Sequence, residues 1–464
     1  MILDLDKKAK DSIAILDDSG CELSYGALAE MADAVKSVLA ERELVFVLSS
    51  NKAGSLAGFL SLYDNKDVCL LLSSHIDRGL LDALFTTYHP SYMWMPNEMV
   101  EEFGYEAVYT AYDFTLCKTG QKAPEMNPDL SMLMTTSGTT GSPKLVRHKY
   151  GNIESNAKNV AEVFGWTPGD RGIIDLPMQY TMGLNVILSH LYAGATVLLM
   201  EANLLSPLYW KFIKEQKGTN FTGVPYSYEI LSKLRFQRMD LPFLNTMAEG
   251  GGKLSDAQFE TFAKFAEEKG KRFFATFGTT ETSARLAYLP PKDATTHIGS
   301  IGTAIPEGKL SLVDENGNEI TTPDTEGELR YDGPNVTMGY GTCVEDLLKG
   351  DEFCGTYYTG DIAKMDADGY FYIVGRKKRF LKLFGLRVSL DQSEKIIKEA
   401  FNIECACTGD DNQMRIYITE DSLKDDVKKL IAEKTGLIAK SFEVNVISEI
   451  PRFESGKINY KVLE

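Results

Sequence analysis

The feature that most constrains the fold is an alternation of short apolar runs with amphipathic segments over the first 130 residues. Leu44 to Leu48 and Val68 to Leu72 are uninterrupted apolar runs of strand length, and Ala53 to Leu62 between them has helical spacing. Strands that are apolar on both faces are typical of a parallel sheet covered by helices. A second round runs from Asn152 to about Glu229, so the sequence predicts layered α/β subdomains.

The pattern changes after Ile298. The stretch "KLSLVDENGNEI" alternates apolar and polar residues around Asn316-Gly317, which is typical of a β-hairpin. More β character follows, and after Arg376 the chain becomes a short α+β segment. We therefore predict an α/β fold with a large N-terminal domain, 1–377, built of layered α/β subdomains plus a β-rich subdomain. A small, mobile α+β C-terminal domain is predicted to occupy 378–464.

Charge and composition exclude several classes of function. The 464 residues include 49 Lys and Arg against 66 Asp and Glu, a net charge of −17, which argues against a non-specific nucleic-acid binder. We find neither a signal-peptide core at the N-terminus nor an apolar run of about 18 residues, so no membrane span is predicted. The 7 cysteines are scattered and the 5 histidines are too dispersed for a metal cluster, which favours a cytoplasmic protein with reduced thiols.

One short segment concentrates hydroxyls and glycines after an apolar run. It reads "TSGTTGSPK" over residues 136–144, and such a loop can present backbone N–H groups and hydroxyls to phosphate oxygens. A Walker loop would need Gly directly before the lysine and Ser or Thr after it. Here Pro143 precedes Lys144 and Leu145 follows, so the Walker pattern fails.

The same segment resembles the phosphate loop of the adenylate-forming superfamily, with Leu145 where a glycine is usual. That superfamily contains acyl-CoA synthetases, aryl-acid ligases, peptide-synthetase adenylation domains and luciferases. Further segments resemble its other motifs in the expected order from about residue 130 to the end, with Phe277 where Tyr is common. They are "GGGKLS" (250–255), "TFGTTE" (276–281), "GSIGTAIP" (299–306), "GELRYDGPNVTMGY" (327–340), "YTGD" (358–361), "GRKKRFLKLFGLRV" (375–388) and "PRFESGKI" (451–458).

The resemblance implies a two-step reaction that uses ATP and Mg²⁺. A carboxylate attacks the α-phosphate of ATP to give acyl-AMP and pyrophosphate, and a thiol then attacks the acyl carbon. The thiol would belong to coenzyme A or to the phosphopantetheine arm of an acyl carrier protein. Residues 1–377 would form the AMP-binding domain and residues 378–464 a lid domain that carries the catalytic lysine.

The resemblance also implies roles for individual residues. The phosphate loop would hold the β- and γ-phosphates with Ser137, Gly138, Thr139, Thr140, Gly141 and Lys144. Adenine would pack on Gly250, Gly251, Gly252, Phe277 and Gly278. Thr280 would contact the α-phosphate and Glu281 would bind Mg²⁺, which prefers hard oxygen ligands.

Four residues near the C-terminus complete the implied site. Asp361 would accept hydrogen bonds from both ribose hydroxyls, and Arg376 would contact ribose or phosphate. Lys457 would act in adenylation by bridging the attacking carboxylate and the α-phosphate oxygens. Lys382 would lie near the thioester-forming site, but an ordinary solvated lysine explains it equally well. Lys378 sits where the family places its hinge, and "RKKR" could instead be a basic run at a domain junction.

The acid is only partly specified by the sequence. "LPMQYTMGLN" (176–185) resembles the start of the acyl pocket, with Tyr180 where His is frequent. Amino-acid-activating members have an Asp at the position of Thr181, so a free α-amino acid is disfavoured and aryl or aliphatic acids stay open. An ATP-hydrolysing or phosphotransferase protein with a P-loop, and a non-catalytic nucleotide-binding relative, are the alternatives.

Overall fold

The computed structural model describes residues 1–135, 144–377, 379–383, 386–410, 412–453 and 457–463. These residues form two compact units. The first unit comprises Met1–Lys309 and Asp332–Tyr357, and the second comprises Leu310–Tyr331 and Tyr358–Glu464. The β-rich segment that the sequence places in the N-terminal domain is therefore grouped with the C-terminal residues. The predicted boundary between residues 377 and 378 stays a prediction, because Lys378 lies outside the described residues.

The secondary structure alternates along most of the chain. The helices are α1 (Tyr25–Val38), α2 (Ala53–Asp64), α3 (Arg78–Tyr88), α4 (Asn97–Phe103), α5 (Asn152–Phe164), α6 (Thr181–Tyr192), α7 (Pro207–Glu215), α8 (Pro225–Lys233), α9 (Asp256–Glu268), α10 (Leu390–Phe401) and α11 (Lys424–Thr435). The strands of the first unit are β1 (Ile13–Asp17), β2 (Glu22–Ser24), β3 (Leu44–Ser49), β4 (Val68–Ser73), β5 (Tyr92–Pro96), β6 (Glu106–Ala111), β7 (Phe114–Lys118), β8 (Leu130–Thr135), β9 (Leu145–Lys149), β10 (Arg171–Ile174), β11 (Thr196–Leu199), β12 (Asn220–Gly223), β13 (Thr246–Glu249), β14 (Arg272–Thr279), β15 (Ala284–Leu289) and β16 (Thr303–Ala304). The strands that follow are β17 (Lys309–Val313), β18 (Glu319–Ile320), β19 (Gly327–Asp332), β20 (Tyr340–Gly341), β21 (Thr356–Met365), β22 (Phe371–Arg376), β23 (Phe380–Leu383), β24 (Leu386–Ser389), β25 (Cys405–Asp410), β26 (Gln413–Ile418) and β27 (Phe442–Val446).

The first unit contains an eight-stranded sheet in the order β20-β9-β8-β4-β3-β5-β7-β6. Strand β3 is parallel to both β4 and β5, and all six of its side chains are buried. A strand buried on both faces needs helices on both sides, which is why the apolar runs of the sequence predicted a parallel arrangement. The predicted α/β class is confirmed by these strands and the helices between them.

A second sheet of nine strands runs in the order β16-β15-β14-β13-β12-β10-β11-β1-β2. Side chains alternate between its two faces. On one face the Phe274 ring stacks on Phe164 of α5 at a centroid distance of 4.1 Å. On the other face the neighbouring Phe273 meets Tyr228 of α8 edge-on at 6.0 Å. The two faces are therefore covered by different helices.

The second unit holds most of a five-stranded sheet in the order β18-β17-β19-β21-β22, a β23–β24 hairpin and a three-stranded sheet, β25-β26-β27. The predicted hairpin around Asn316-Gly317 is present, because Leu312 pairs with Ile320 across β17 and β18. Gly317 has φ +82°, a conformation that glycine adopts without strain. Helices α10 and α11 contribute Ile397 and Ile431 to the core of this unit.

Membrane insertion of a helix finds no support in the described part of the chain. None of its helices combines the length and the apolar character that crossing a bilayer requires.

Candidate active site

Strands β13 and β14 bring the two predicted adenine-binding segments together. They are parallel, and Glu249 at the end of β13 lies opposite Ala275 of β14. The three glycines therefore begin beside the second half of β14, which contains Phe277 and Gly278. The Thr276 hydroxyl donates to the Glu249 carbonyl at 2.7 Å. A Cβ at Gly250 would lie 2.5 Å from both Thr276 Oγ1 and Met182 Cε, so only glycine fits the turn.

Glu281 and Lys144 converge on one tyrosine in the first unit. The Tyr340 hydroxyl donates to Glu281 Oε1 at 2.7 Å, and Lys144 Nζ lies 3.4 Å from the centre of the Tyr340 ring. The backbone N–H of Thr337 donates to the Glu281 carbonyl at 2.9 Å, which fixes the residue that follows Thr280. Tyr340 was not among the residues predicted from the sequence, although it closes the segment at 327–340. Burial, followed by the Glu281 charge, raises the pKa of Tyr340, so its hydroxyl keeps its proton at neutral pH.

The predicted phosphate loop lies mostly outside the described residues. Its members Ser137, Gly138, Thr139, Thr140 and Gly141 carry no structural description. The strands on either side are antiparallel, with Thr135 opposite Leu145. The ends of the predicted loop are therefore held together by the sheet.

Asp361 and Arg376 meet in the second unit. They are opposite each other on β21 and β22, and Arg376 Nε lies 3.0 Å from Asp361 Oδ1. The Asp361 side chain is 3% exposed and that of Arg376 is 60% exposed. The Asp361 backbone N–H donates to Thr359 Oγ1 at 3.0 Å. A carboxylate fixed in this way is suited to accepting hydrogen bonds from a ligand, and the exposed guanidinium beside it is suited to donating them.

Lys457 is exposed at the end of the segment 451–458. Its carbonyl accepts a hydrogen bond from Phe453 N–H at 2.8 Å, and Arg452 pairs with Ile458 next to it. The backbone around Lys457 is thus fixed by hydrogen bonds between the two ends of a short loop. Lys382 lies on a different element, with its backbone in β23 opposite Arg387 of β24.

The sequence also matches a known protein family. The family described as "AMP-binding enzyme" matches residues 66–341, which is more than half of the chain. The chain belongs to the AMP-binding enzyme family. The superfamily membership that its motifs indicated is confirmed, and with it the predicted enzyme class, an AMP-forming acid–thiol ligase.

Curated relatives of this AMP-binding enzyme include two CoA ligases. It is 27% identical over 350 residues to oxalate–CoA ligase of Arabidopsis thaliana, covering 72% of this chain and 67% of the relative. It is 24% identical over 457 residues to 2-succinylbenzoate–CoA ligase of Listeria monocytogenes, covering 94% of this chain and 93% of the relative. The second match spans nearly the whole of both chains.

A solved structure shares the fold. O-succinylbenzoate CoA synthetase from Bacillus subtilis, in complex with its acyl-adenylate intermediate, superposes with a TM-score of 0.79. The two are 20% identical, and the match covers 100% of this chain and 97% of that one.

Glu281 is the one carboxylate that the sequence assigns to Mg²⁺. The described residues contain no group of three or more His, Cys, Asp or Glu side chains that could hold a metal by themselves. Glu281 alone would be enough to bind Mg²⁺ together with a nucleotide. Mg²⁺ commonly takes one or two protein carboxylates and completes its coordination shell with substrate phosphates and water.

Two carboxyl groups of the nine-stranded sheet have raised pKa values and were not anticipated. Asp175 follows β10 and Glu249 ends β13, and these strands lie on either side of β12. Burial raises the pKa of Glu249 from 4.5 to about 8 and that of Asp175 from 3.8 to about 7. Asp175 accepts from the Tyr209 hydroxyl at 3.2 Å. Their burial follows from a strand register that the sequence does not reveal.

Proposed function

We propose that this enzyme activates a carboxylic acid with ATP and Mg²⁺ and transfers the acyl group to the thiol of coenzyme A. The observation that carries the proposal is the convergence of Lys144 and Glu281 on Tyr340. A lysine proposed to bind phosphate and a carboxylate proposed to bind Mg²⁺ are thus held by the same side chain. Coenzyme A is favoured as the acceptor because both curated relatives described above carry CoA ligase in their names.

In the first step a carboxylate oxygen of the acid forms a bond to the α-phosphorus of ATP, and the bond to the pyrophosphate oxygen breaks. Mg²⁺, when bound, neutralises charge on the departing phosphates. Lys144, together with Ser137, Thr139 and Thr140, would hold those phosphates, and Thr280 would contact the α-phosphate. The demand on the protein is positioning and charge stabilisation, since no side chain forms a covalent bond.

Residues of the second unit would provide the remaining contacts. Asp361 would bind the two ribose hydroxyls, with Arg376 on ribose or phosphate. Lys457 would stabilise the charge that develops between the carboxylate and the α-phosphate. Its exposed position suits a group that must act in one step and then leave room for the thiol.

In the second step the thiol sulfur forms a bond to the acyl carbon, AMP leaves, and the thiol proton is released to solvent. Lys382 is proposed to act near this thiol. We further propose that the segment after residue 377 rotates about Lys378 between the two steps, because a site that excludes water for adenylation must later admit a thiol.

Acid-dependent release of pyrophosphate tests the first step. A panel of aryl and aliphatic acids should include some that raise pyrophosphate release well above the rate without acid. Orthophosphate or ADP as the product would favour the phosphotransferase or ATPase alternative. Thioester yield with coenzyme A should exceed the yield with a phosphopantetheine-loaded carrier protein, and the reverse ranking would overturn the choice of acceptor.

The hinge is tested by Lys378→Pro, with Lys378→Ala as the matched control. Proline fixes φ near −65° and restricts the preceding residue, so it should trap one orientation. Single-turnover pyrophosphate release should survive, whereas thioester formation from preformed acyl-AMP should collapse. If neither half-reaction falls, Lys378 is not the pivot and the boundary between residues 377 and 378 is wrong.

A further inference from the structure

Arg285 belongs to a buried chain of polar side chains in the first unit. It lies on β15, four residues after Glu281, and is 3% exposed. Its Nη1 donates to Asn185 Oδ1 of α6 at 2.6 Å. Asn185 Nδ2 in turn donates to Asn156 Oδ1 of α5 at 2.6 Å, and Asn156 Nδ2 donates to the Arg285 carbonyl at 2.6 Å. The two asparagines therefore fix both the backbone and one nitrogen of the arginine.

The guanidinium has no carboxylate partner among the described residues. The Nη2 atom is buried, and no described residue accepts a hydrogen bond from it. The centre of the Phe164 ring lies 5.0 Å from the central carbon of the guanidinium. Burial lowers the pKa of Arg285 to about 10, so the group stays charged at neutral pH. A buried charge with unsatisfied donors is costly unless something compensates it.

Another buried arginine in the same unit shows the usual solution. Arg147 has a fully buried side chain, and its Nη2 lies 2.6 Å from Glu352 Oε2. Its other nitrogens donate to carbonyls, including that of Lys349 at 2.6 Å. The fold thus supplies counter-charge and acceptors to Arg147 and leaves a donor of Arg285 without one.

Arg285 also lies beside the candidate active site. Its Nε is 3.5 Å from Thr276 Oγ1, the hydroxyl that bonds to the carbonyl before Gly250. Thr276 and Met182 are the side chains that a Cβ at Gly250 would meet. One hydroxyl therefore lies between the guanidinium and the glycine turn, and Glu281 lies in the short connection between β14 and β15.

We propose that Arg285 binds a second carboxylate of the acid substrate, so that the enzyme activates dicarboxylic acids in preference to monocarboxylic acids of the same carbon skeleton. The inference rests on the proposed function and specifies its substrate class. One carboxylate is adenylated, and the other forms a charge-assisted hydrogen bond with the free Nη2 and neutralises the buried guanidinium.

The test compares matched pairs of acids in the pyrophosphate-release assay. Suitable pairs are butyrate with succinate, valerate with glutarate, hexanoate with adipate, and benzoate with terephthalate. Wild-type enzyme should show a higher kcat/KM for at least one dicarboxylate than for its partner. Arg285→Met should lower that ratio by roughly 10- to 150-fold, the range for a hydrogen bond to a charged group, and should leave the KM for ATP unchanged.

A second variant supplies the missing counter-charge from the protein. Asn185→Asp puts a carboxylate on the atom that already accepts from Arg285 Nη1 at 2.6 Å. The dicarboxylate preference should fall although Arg285 is still present. Arg272→Met is the matched control, because Arg272 also contacts Phe164 and donates to its carbonyl at 2.6 Å. Arg272 begins β14, whereas Arg285 pairs with Gly278 near the other end of that strand. Arg272→Met should leave the ratio unchanged.

The outcomes separate the two proposals. The inference is wrong if wild-type enzyme releases pyrophosphate as efficiently with each monocarboxylic acid as with its matched dicarboxylic acid. It is also wrong if Arg285→Met and Asn185→Asp lower the kcat/KM for monocarboxylic and dicarboxylic acids equally, because Arg285 is then a structural residue. The proposed function then stands. If no acid in the panel stimulates pyrophosphate release and no dicarboxylate raises the melting temperature in the presence of AMP, both fail.

Discussion

Arg285 in the first unit and Arg379 in the second are both largely withdrawn from solvent, but their surroundings differ. Arg379 is 18% exposed and pairs with two carboxylates, Asp391 and Glu394, the latter at 2.6 Å. Its central carbon also lies 3.8 Å from the Tyr460 ring centre. Burial acts to lower the pKa of Arg379, and the neighbouring carboxylates outweigh it so that the pKa is raised.

The comparison distinguishes an arginine whose charge is neutralised by the protein's own carboxylates from an arginine whose charge is available to a ligand. Arg379 is neutralised by the protein and ties the start of β23 to α10 and to Tyr460, whose hydroxyl donates to Glu394 at 3.0 Å. Within the described residues, the Arg285 guanidinium has only neutral hydrogen-bond partners. Removing one partner of a buried ion pair leaves the other charge without a counter-charge and destabilises the fold. Replacing a buried charge that has no counter-charge by an apolar side chain removes its desolvation penalty.

The largest effect is expected outside both clusters, at the exposed Lys457. Lys457→Ala should slow acid-dependent pyrophosphate release by about 10²–10³-fold, the range for one group that stabilises transition-state charge. ATP affinity and the melting temperature should change little, because the Lys457 side chain is exposed and its role is predicted to be in the transition state. Rapid-quench measurement of pyrophosphate with equilibrium ATP binding checks this, and near-wild-type release would refute the catalytic role.

Arg379→Met tests the compensated side directly. It leaves Asp391 and Glu394 without their cation, so the free energy of unfolding should fall by about 3 kcal/mol, the lower end of the range for a broken buried pair, since the side chains keep some solvent contact. Arg285→Met should be neutral or stabilising in the same denaturant titration. Equal destabilisation by both substitutions would remove the distinction between the two arginines.

Glu249 extends the comparison to a buried acid with no charge partner among the described residues. Its pKa is raised from 4.5 to about 8, so the native state binds the proton more tightly than the unfolded chain. Its contribution to stability is full below pH 4.5 and is lost as the pH rises to about 8, by about 1.4 kcal/mol per pH unit where only the native form is protonated.

Glu249→Gln should flatten that decline, because glutamine mimics the protonated acid at every pH. Unfolding free energies of wild type and variant, measured from pH 4 to 9, should diverge as the pH rises. Asp175→Asn is the companion variant, and the difference between its unfolding free energy and that of the wild type should stop growing above about pH 7. Parallel pH profiles would show that Glu249 is ionised in the native protein.

The smallest effect is expected at the ion pair of Asp361 and Arg376. Asp361→Asn keeps one acceptor but loses the charge, so AMP and ATP should bind roughly 10-fold more weakly, the low end for charge-assisted hydrogen bonds. Calorimetric titration with AMP measures this. Thr359→Ala is the control, since the Thr359 hydroxyl accepts from the backbone N–H of Asp361 at 3.0 Å and not from its carboxylate. Unchanged affinity in Asp361→Asn would reduce Asp361 to a structural partner of Arg376.

Much of the fold could be predicted from local pattern. The apolar run from Leu44 appears as β3 and the helical spacing from Ala53 appears as α2. A strand or helix that is buried on one face or on both has a characteristic spacing of apolar residues, and this spacing is visible in a single sequence. The grouping of the β-rich segment with the C-terminal residues was not visible, because it depends on contacts between Leu310–Tyr331 and residues beyond Tyr358.

The candidate site divides in the same way. The sequence by itself determined the family, the order of the motifs and the residue types that are predicted to contact ATP, because each motif is a run of a few neighbouring residues. Only the tertiary structure decided that Lys144 and Glu281 share Tyr340 and that Arg285 meets Asn185, 100 positions away in the chain. Burial and charge compensation are properties of side chains brought together by the sheets, and local sequence carries no record of which distant residue will be the neighbour.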